Sequence, residues 1–238
     1  MSARAREAPA GALQGQHLHL EPTSGIAGDM AVAALVDAGV PARVVTRAIA
    51  SMAVPGLRTR FESRQRGAYV ARGFVVKFPG SARARAPGHD HDHAGHDHDH
   101  DHDHADHDHD HDHDHAHADH VHDVAHAHRD YAEIRRLLRR SGLDADVRAL
   151  AGDIFARLAE VEAALHGMSI DRVAFHEIGA FDSIADIVGV AAAVAWLAPS
   201  SIGSAPPVVG TGMVRTAHGR VMVPAPATAA LLRGIPML

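Results

Sequence analysis

Apolar and polar positions along the first part of the chain change from alternation to helical spacing and back. Residues 17–20 alternate like a half-buried strand, and an Ala/Val/Leu run after Met30 predicts a helix that closes near Gly39. Pro41 starts a second helix over 42–52. The segment 57–78, divided at Gly67, predicts a β-hairpin. The first half is therefore predicted to run strand, helix, helix, hairpin.

Two helices are predicted to open the second half. Asp130 and Glu133 have the spacing of a capping box for a helix that runs to Arg140. The next helix starts after Asp144, and its apolar residues recur at helical spacing, which predicts the face that lies in the core: Val147, Leu150, Ile154, Leu158, Val161 and Leu165.

The remaining elements are one short strand, one long helix and several strand-like runs. Residues 173–175 form a short strand. A mostly apolar helix follows from Asp182 to about Ala198. After Pro199 the strand-like runs are 201–202, 207–209, 213–215 and 221–223, before a short helix over 227–232. These elements predict an α+β fold with mixed helices and short strands or hairpins.

A long insert of alternating His and Asp interrupts these patterns. It buries no apolar surface, so we expect it to be disordered without metal. The predicted organisation is a disordered leader over 1–16, an N-terminal half over 17–80, the His/Asp-rich metal-binding tract over 81–129, and a C-terminal half over 130–238.

Charge is divided unequally between the tract and the rest of the chain. Residues 89–128 hold 18 of the 23 histidines and 13 of the 29 acidic residues, whereas all 23 Lys and Arg lie outside them. The remainder is therefore mildly basic, although the net charge is −6. Nearly all of that positive charge is Arg, which suits phosphate or carboxylate ligands but also follows from genome composition; both interpretations stay open.

The chain has no cysteine, so a metal would be held by imidazole, carboxylate or backbone oxygen. No apolar run approaches the roughly 20 residues of a membrane span, and the first 16 residues lack the apolar core of a secretory signal. We expect a cytoplasmic homo-oligomer without membrane or nucleic-acid partners.

The tract is the strongest metal-binding signal, because neutral imidazoles ligate metals and nearby aspartates attract cations. A set of imidazoles without thiols favours Ni, Zn, Co or Cu over Ca or Mg. The alternative is an inert acidic linker. We assign metal storage or concentration to these histidines: His89, His91, His93, His96, His98, His100, His102, His104, His107, His109, His111, His113 and His115.

A second candidate site lies in the segment 175–189, where His176, Asp182 and Asp186 form the tighter triplet. Asp182 and Asp186 fall on one helix face, and a carboxylate among apolar neighbours is costly unless a positive charge meets it. In an extended strand Glu177 would point away from His176, so it is the looser member. The structural alternative is an N-cap at Asp182 and a solvated Asp186.

Further candidates flank Gly-rich turns. The turn over 22–30 leads from a strand into a helix, so its backbone N–H groups can meet an anion. It lacks the P-loop and dinucleotide patterns, and Asp29 favours a capped helix or an anion held through a cation or arginine. The candidates for phosphate are Ser24, Gly25, Gly28, Asp29 and Arg215; His218 is a further metal candidate, although a His beside Gly is often only a turn residue.

Several of these segments together resemble the LarC family of nickel-insertion proteins: residues 24–30, the histidine tract, residues 175–189, Ala217-His218-Gly219 and residues 224–228. The resemblance implies a nickel chelatase that inserts Ni(II) into pyridinium-3,5-bisthiocarboxylic acid mononucleotide and so makes the nickel-pincer cofactor of lactate racemase and related enzymes. It also implies CTP and Mn or Mg, bound mainly by a C-terminal family domain that would be a separate polypeptide here. The recipient would be a racemase-type apoenzyme.

Two other functions stay open from the residues alone. A nickel store or metallochaperone needs only the tract. A metal-dependent hydrolase is compatible with His, Asp and Glu at these spacings, but the chain shows no identifiable nucleophile or general base, and the catalytic residues are unassigned.

Overall fold

The structure is a computed structural model that describes residues 12–78, 129–175, 181–216 and 219–238. The predicted metal-binding tract, apart from Arg129, and the first eleven residues of the predicted leader lie outside these ranges. The candidate ligands His176, Glu177 and His218 also lie outside the described residues, as do the thirteen candidate histidines of the tract.

Helices and strands alternate irregularly along the described ranges, and the predicted α+β fold is confirmed. In chain order the elements are β1 (His17–Leu20), α1 (Gly28–Asp37), α2 (Ala42–Ser51), β2 (Arg58–Arg66), β3 (Tyr69–Lys77), β4 (Arg129–Asp130), α3 (Tyr131–Arg140), α4 (Ala145–His166), a 3-10 turn (Ile170–Arg172), β5 (Ala174–Phe175), α5 (Phe181–Leu197), β6 (Ser201–Ser204), β7 (Met213–Thr216), β8 (Gly219–Met222) and α6 (Pro226–Leu231). None of the helices described is long and apolar enough to cross a membrane.

The described strands form four two-stranded pairs. β2–β3, β4–β5 and β7–β8 are antiparallel, and β1 pairs with β6 in parallel. β1 precedes the His/Asp tract and β6 follows it. The chain on both sides of the tract therefore contributes to the same strand pair.

Helix α5 is the centre of the core and packs against α1, α2 and α4. It is apolar on nearly every side, which is typical of a buried helix. Its buried side chains include Ile184, Val188 and three consecutive alanines at 191–193. These small residues let the neighbouring helices approach closely.

The core face of α4 differs from the predicted one. The buried residues are Val147, Ala151, Phe155, Ala159 and Ala163, whereas Leu165 is 47% exposed. Leu150 and Leu158 are only partly buried at the edge of the core. The prediction followed the largest apolar side chains, but the alanine stripe permits a closer approach of α4 to the core.

Two local predictions have different outcomes. The capping box at α3 is confirmed, because Glu133 N donates to Asp130 Oδ1 at 2.6 Å.

The predicted strand at 207–209 is wrong. Instead Val209 N donates to Leu238 O at 3.1 Å and Leu238 N donates to Pro207 O at 3.1 Å, so the backbone of this segment bonds to the end of the described chain.

Gly189 sets how closely α5 can pack, and it provides a test of the core. A Cβ there would lie 3.0 Å from Val32 Cγ2 and 3.2 Å from Val45 Cγ1. We expect Gly189→Ala to lower the free energy of unfolding by about 1–3 kcal/mol through overpacking. The measurement is urea denaturation followed by circular dichroism.

Gly152 in α4 is the matched control, since a Cβ there meets nothing within 4 Å. Gly152→Ala should raise stability by about 0.5–1 kcal/mol through helix propensity alone. Equal stabilisation by both substitutions would contradict close packing at Gly189.

Candidate functional site

Asp186 lies in the second turn of α5, half-buried against the start of α1. A Cβ on Gly28 would lie 2.6 Å from Asp186 Oδ2 and 2.7 Å from Asp186 Cβ. Only glycine leaves room for the Asp186 side chain at this position. The first residue of α1, Gly28, therefore determines how closely the Asp186 carboxylate can approach the backbone of α1.

Two further carboxylates lie close enough to Asp186 to affect its charge. Burial, together with the negative charges of Asp29 and Asp182, raises the pKa of Asp186 to about 7. Asp29 Oδ1 accepts a hydrogen bond from Met30 N at 2.9 Å, and Asp182 Oδ1 accepts one from Ser183 N at 2.8 Å. The carboxylate cluster, defined as Asp29, Asp182 and Asp186, thus joins the N-terminal turns of α1 and α5.

Asp186 Oδ1 is buried and has no hydrogen-bond partner among the described residues. Within those same ranges no Arg or Lys forms an ion pair with any member of the cluster. The N-terminal ends of two helices supply partial positive charge, but a desolvated carboxylate needs a stronger partner. A bound cation would meet this need.

The predicted site residues differ in where the structure places them. Asp182 and Asp186 lie one turn apart on α5, and the charge of Asp29 also acts on Asp186. Ser24 and Gly25 form an exposed or half-exposed turn in which Gly25 has a φ of 80° and its N–H donates to Pro22 O. Arg215 is exposed on β7 and in register with Arg220 of β8.

The expected N-cap role of Asp29 is wrong. The N-cap of α1 is Ala27, which has no side-chain capping bond, and Asp29 is the second helical residue. Among the described residues no group of three or more His, Asp or Glu side chains is placed to hold a metal ion, and this includes the carboxylate cluster. Further ligands for the carboxylate cluster would have to come from other parts of the chain or from the substrate.

The described residues on either side of the range 79–128, Phe78 and Arg129, both contact Phe181, the residue before Asp182. The Phe78 ring lies 5.9 Å from the Phe181 ring, centroid to centroid. The Arg129 guanidinium carbon lies 3.6 Å from the Phe181 ring centroid. Phe78 is the last described residue before the tract and Arg129 is its last residue, so the described chain ends and resumes beside Phe181.

The cavity between α2, α4 and α5 is a different location. Its volume is about 520 Å³, and its lining includes Arg47, Asp144 and Trp196 but no candidate site residue. Trp196 is ten residues along α5 from Asp186, roughly 15 Å at the rise of an α-helix. The carboxylate cluster therefore lies outside this cavity.

Sequence reasoning missed the contact of Gly28 with Asp186 and the position of Phe181 between the ends of the tract. The negative charge of Asp29 was a usable signal, because an aspartate in a supposed phosphate turn indicates a cation nearby. The packing of α1 on α5 left no comparable signal in the sequence.

Comparison with known proteins identifies relatives along almost the whole chain. The family model for nickel insertion proteins matches residues 18–237. A protein of Geobacter metallireducens named a putative nickel insertion protein is 40% identical over 222 residues, which cover 92% of this chain and 46% of that protein. No solved structure gives a significant match.

Two relatives carry a more specific name, pyridinium-3,5-bisthiocarboxylic acid mononucleotide nickel insertion protein. The one from Geobacillus kaustophilus is 36% identical over 222 residues, covering 93% of this chain and 46% of the relative. The one from Nocardioides is 35% identical over 217 residues, covering 91% and 44%. This chain thus spans slightly less than half the length of these relatives.

Proposed function

We propose, from the premise that this chain belongs to the nickel insertion protein family, that it inserts Ni(II) into pyridinium-3,5-bisthiocarboxylic acid mononucleotide. The product would be the nickel-pincer cofactor of racemase-type enzymes. The single observation on this chain that carries the proposal is the buried, unpartnered Oδ1 of Asp186 beside Asp29 and Asp182.

The carboxylate cluster would hold the cation before transfer. Asp186 and Asp182 supply oxygen donors, and we propose His176 as the imidazole donor, with Glu177 and His218 as further ligands. Oxygen and nitrogen donors exchange more readily than thiolates, and Ni(II) accepts both. This suits a site that must release its metal to the sulfur atoms of the substrate.

The His/Asp tract would collect nickel and deliver it to this cluster. The contacts of Phe78 and Arg129 with Phe181 support such delivery, because they hold the two points where the described chain ends and resumes next to Asp182. Tethering raises the effective concentration of the metal without requiring a new contact.

The mononucleotide phosphate is assigned to the turn of Ser24, Gly25 and Gly28, with Arg215 as a second contact. The absence of a side-chain cap at Ala27 supports this assignment, since the first N–H groups of α1, apart from that of Met30, are left for another acceptor. Asp29 would repel a phosphate directly, so we propose that it faces a cation that bridges to the phosphate.

A second polypeptide or domain would complete the enzyme, with CTP and Mn or Mg bound mainly there. The relatives are about twice as long as this chain. The C-terminal segments also expose large apolar side chains, among them Met213 at 54%, Met222 at 73% and Leu238 at 70%. Exposed apolar surface of this kind is typical of a contact surface.

Cofactor formation tests the proposal directly. Purified chain, the C-terminal family domain, the mononucleotide, Ni(II), CTP and Mn(II) are combined, and the product is measured by activation of racemase apoenzyme. We expect His176→Ala to lower cofactor formation by about 10–100-fold, the usual effect of losing a metal contact. Unchanged formation in this variant would refute the metal site.

Deletion of residues 89–128 separates insertion from storage. We expect the deleted protein to match the full chain at saturating nickel and to be slower only when nickel is limiting. A nickel store without insertion activity predicts the opposite result: the His176→Ala variant behaves like the parent, and all nickel binding is lost with the tract.

A further inference from the structure

The parallel pair β1–β6 carries two histidines on one face. His17 is in register with Ser201 and His19 with Gly203, so these four residues share one side of the pair. Leu18 and Leu20 face the other side and are partly buried, whereas both histidines are exposed. Neither histidine belongs to the carboxylate cluster or to the tract.

Each imidazole has one nitrogen engaged by a polar neighbour. His17 Nδ1 lies 2.7 Å from Ser201 Oγ, and His19 Nε2 lies 3.0 Å from Glu21 Oε1. An ionised carboxylate only accepts hydrogen bonds, so His19 Nε2 carries the proton and Nδ1 of the neutral ring keeps its lone pair. Metal-binding histidines are typically oriented by such a partner on the other ring nitrogen.

The two remaining nitrogens border a single space above Gly203. A side chain at this position would begin 3.2 Å from His17 Nε2, 3.2 Å from His17 Cε1 and 3.2 Å from His19 Nδ1. The ring centroids lie 6.0 Å apart, with the rings inclined by 32°. Because residue 203 is glycine, the space stays open, and small rotations of the exposed rings bring both nitrogens to the roughly 2.1 Å of a metal–imidazole bond.

We propose that His17 and His19 form a second metal site, which holds a borderline divalent cation such as Ni²⁺, Zn²⁺ or Cu²⁺ above Gly203. Ser201 and Glu21 orient the two rings, and water completes the coordination. Imidazole nitrogens select these cations over Mg²⁺ and Ca²⁺. Two protein ligands on an exposed surface make a site from which the metal leaves easily. The proposal does not rest on the function assigned to the carboxylate cluster.

Histidine footprinting on the full chain tests this site in the presence of the tract. Tryptic cleavage yields a peptide over 7–43 whose only histidines are His17 and His19, separate from the peptide that carries the tract. The protein is titrated with Ni²⁺ alone and then treated with diethyl pyrocarbonate. We expect Ni²⁺ to protect both histidines over the same concentration range, and Mg²⁺ to protect neither.

Substitutions around the site give the decisive comparison. Gly203→Val fills the space between the nitrogens while keeping both histidines, and should raise the half-protecting Ni²⁺ concentration by about tenfold or more. Gly203→Ala is the milder variant if valine disturbs folding, which circular dichroism reports. Ile202→Ala, on the opposite face of β6, is the matched control and should leave protection unchanged.

His19→Gln distinguishes a shared site from two independent histidines. We expect His17 to lose its protection in this variant, because one imidazole alone holds the cation weakly. The proposal is overturned if Ni²⁺ protects neither histidine in the parent protein, if Gly203→Val leaves protection intact, or if His17 stays protected at the same Ni²⁺ concentration without His19.

Discussion

Asp186→Asn is expected to abolish nickel insertion and at the same time to raise the free energy of unfolding at pH 8 by about 1–2 kcal/mol. Burial and the charges of Asp29 and Asp182 raise the pKa of Asp186 to about 7. Its ionised form is therefore disfavoured in the folded protein. Asparagine fills nearly the same volume without the charge, and it removes a proposed metal ligand.

The sign of the pH dependence follows from proton binding. Between pH 4 and 7 folded Asp186 keeps a proton that the unfolded chain has lost, so the stability of the parent protein falls as pH rises through this window. Above pH 7 the cost is constant. The half-buried side chain remains partly solvated. We therefore expect the change in the free energy of unfolding to be smaller than the full pKa shift would give.

Urea denaturation at pH 5 and pH 8, with chelator present, measures this effect. The stability of the Asp186→Asn variant should not fall between pH 5 and pH 8 as that of the parent does. The difference in free energy of unfolding between variant and parent should shrink towards pH 4. Asp182→Asn is the matched control one turn earlier on α5, where the side chain is exposed, and we expect a change within about 0.5 kcal/mol. A variant less stable than the parent at pH 8 would show that the Asp186 carboxylate has a structural partner.

Gly28→Ala should weaken nickel insertion and lower the free energy of unfolding by about 1–3 kcal/mol. The added Cβ would lie 2.7 Å from Asp186 Cβ and 3.0 Å from Asp186 Cγ, so either Asp186 moves or α1 separates from α5. Gly28 has no positive φ, unlike Gly25 at 80°. The effect is therefore steric and depends on Asp186. Denaturation and cofactor formation are the two measurements.

A double-mutant cycle with Asp186→Gly isolates this contact. In the Asp186→Gly background no side chain opposes the new methyl group, and Gly28→Ala should cost little or should stabilise α1 through helix propensity. Equal destabilisation in both backgrounds would place the cause of the Gly28→Ala effect somewhere other than Asp186.

The candidate site shows how far local sequence signals reach. The spacing of Asp182 and Asp186 predicted a shared helix face, because this depends only on the helical repeat. The proximity of Asp29 to Asp186 was not predictable, since residues 29 and 186 approach each other only through the packing of α1 on α5. The same limit applies to α4, where the sequence pointed to its leucines and packing selected its alanines.

The sequence by itself determined most element types, though not the backbone at 207–209, and it determined the cap at Asp130, the composition of the tract and the family to which the chain belongs. These features depend on local backbone preferences, residue chemistry and motif identity. Only the tertiary structure decided that Gly28 leaves room for Asp186, that Phe78 and Arg129 meet at Phe181, and that His17 and His19 face Gly203. Each of these depends on pairing between segments far apart in the chain, and long-range contacts are set by how side chains of the whole core fit together.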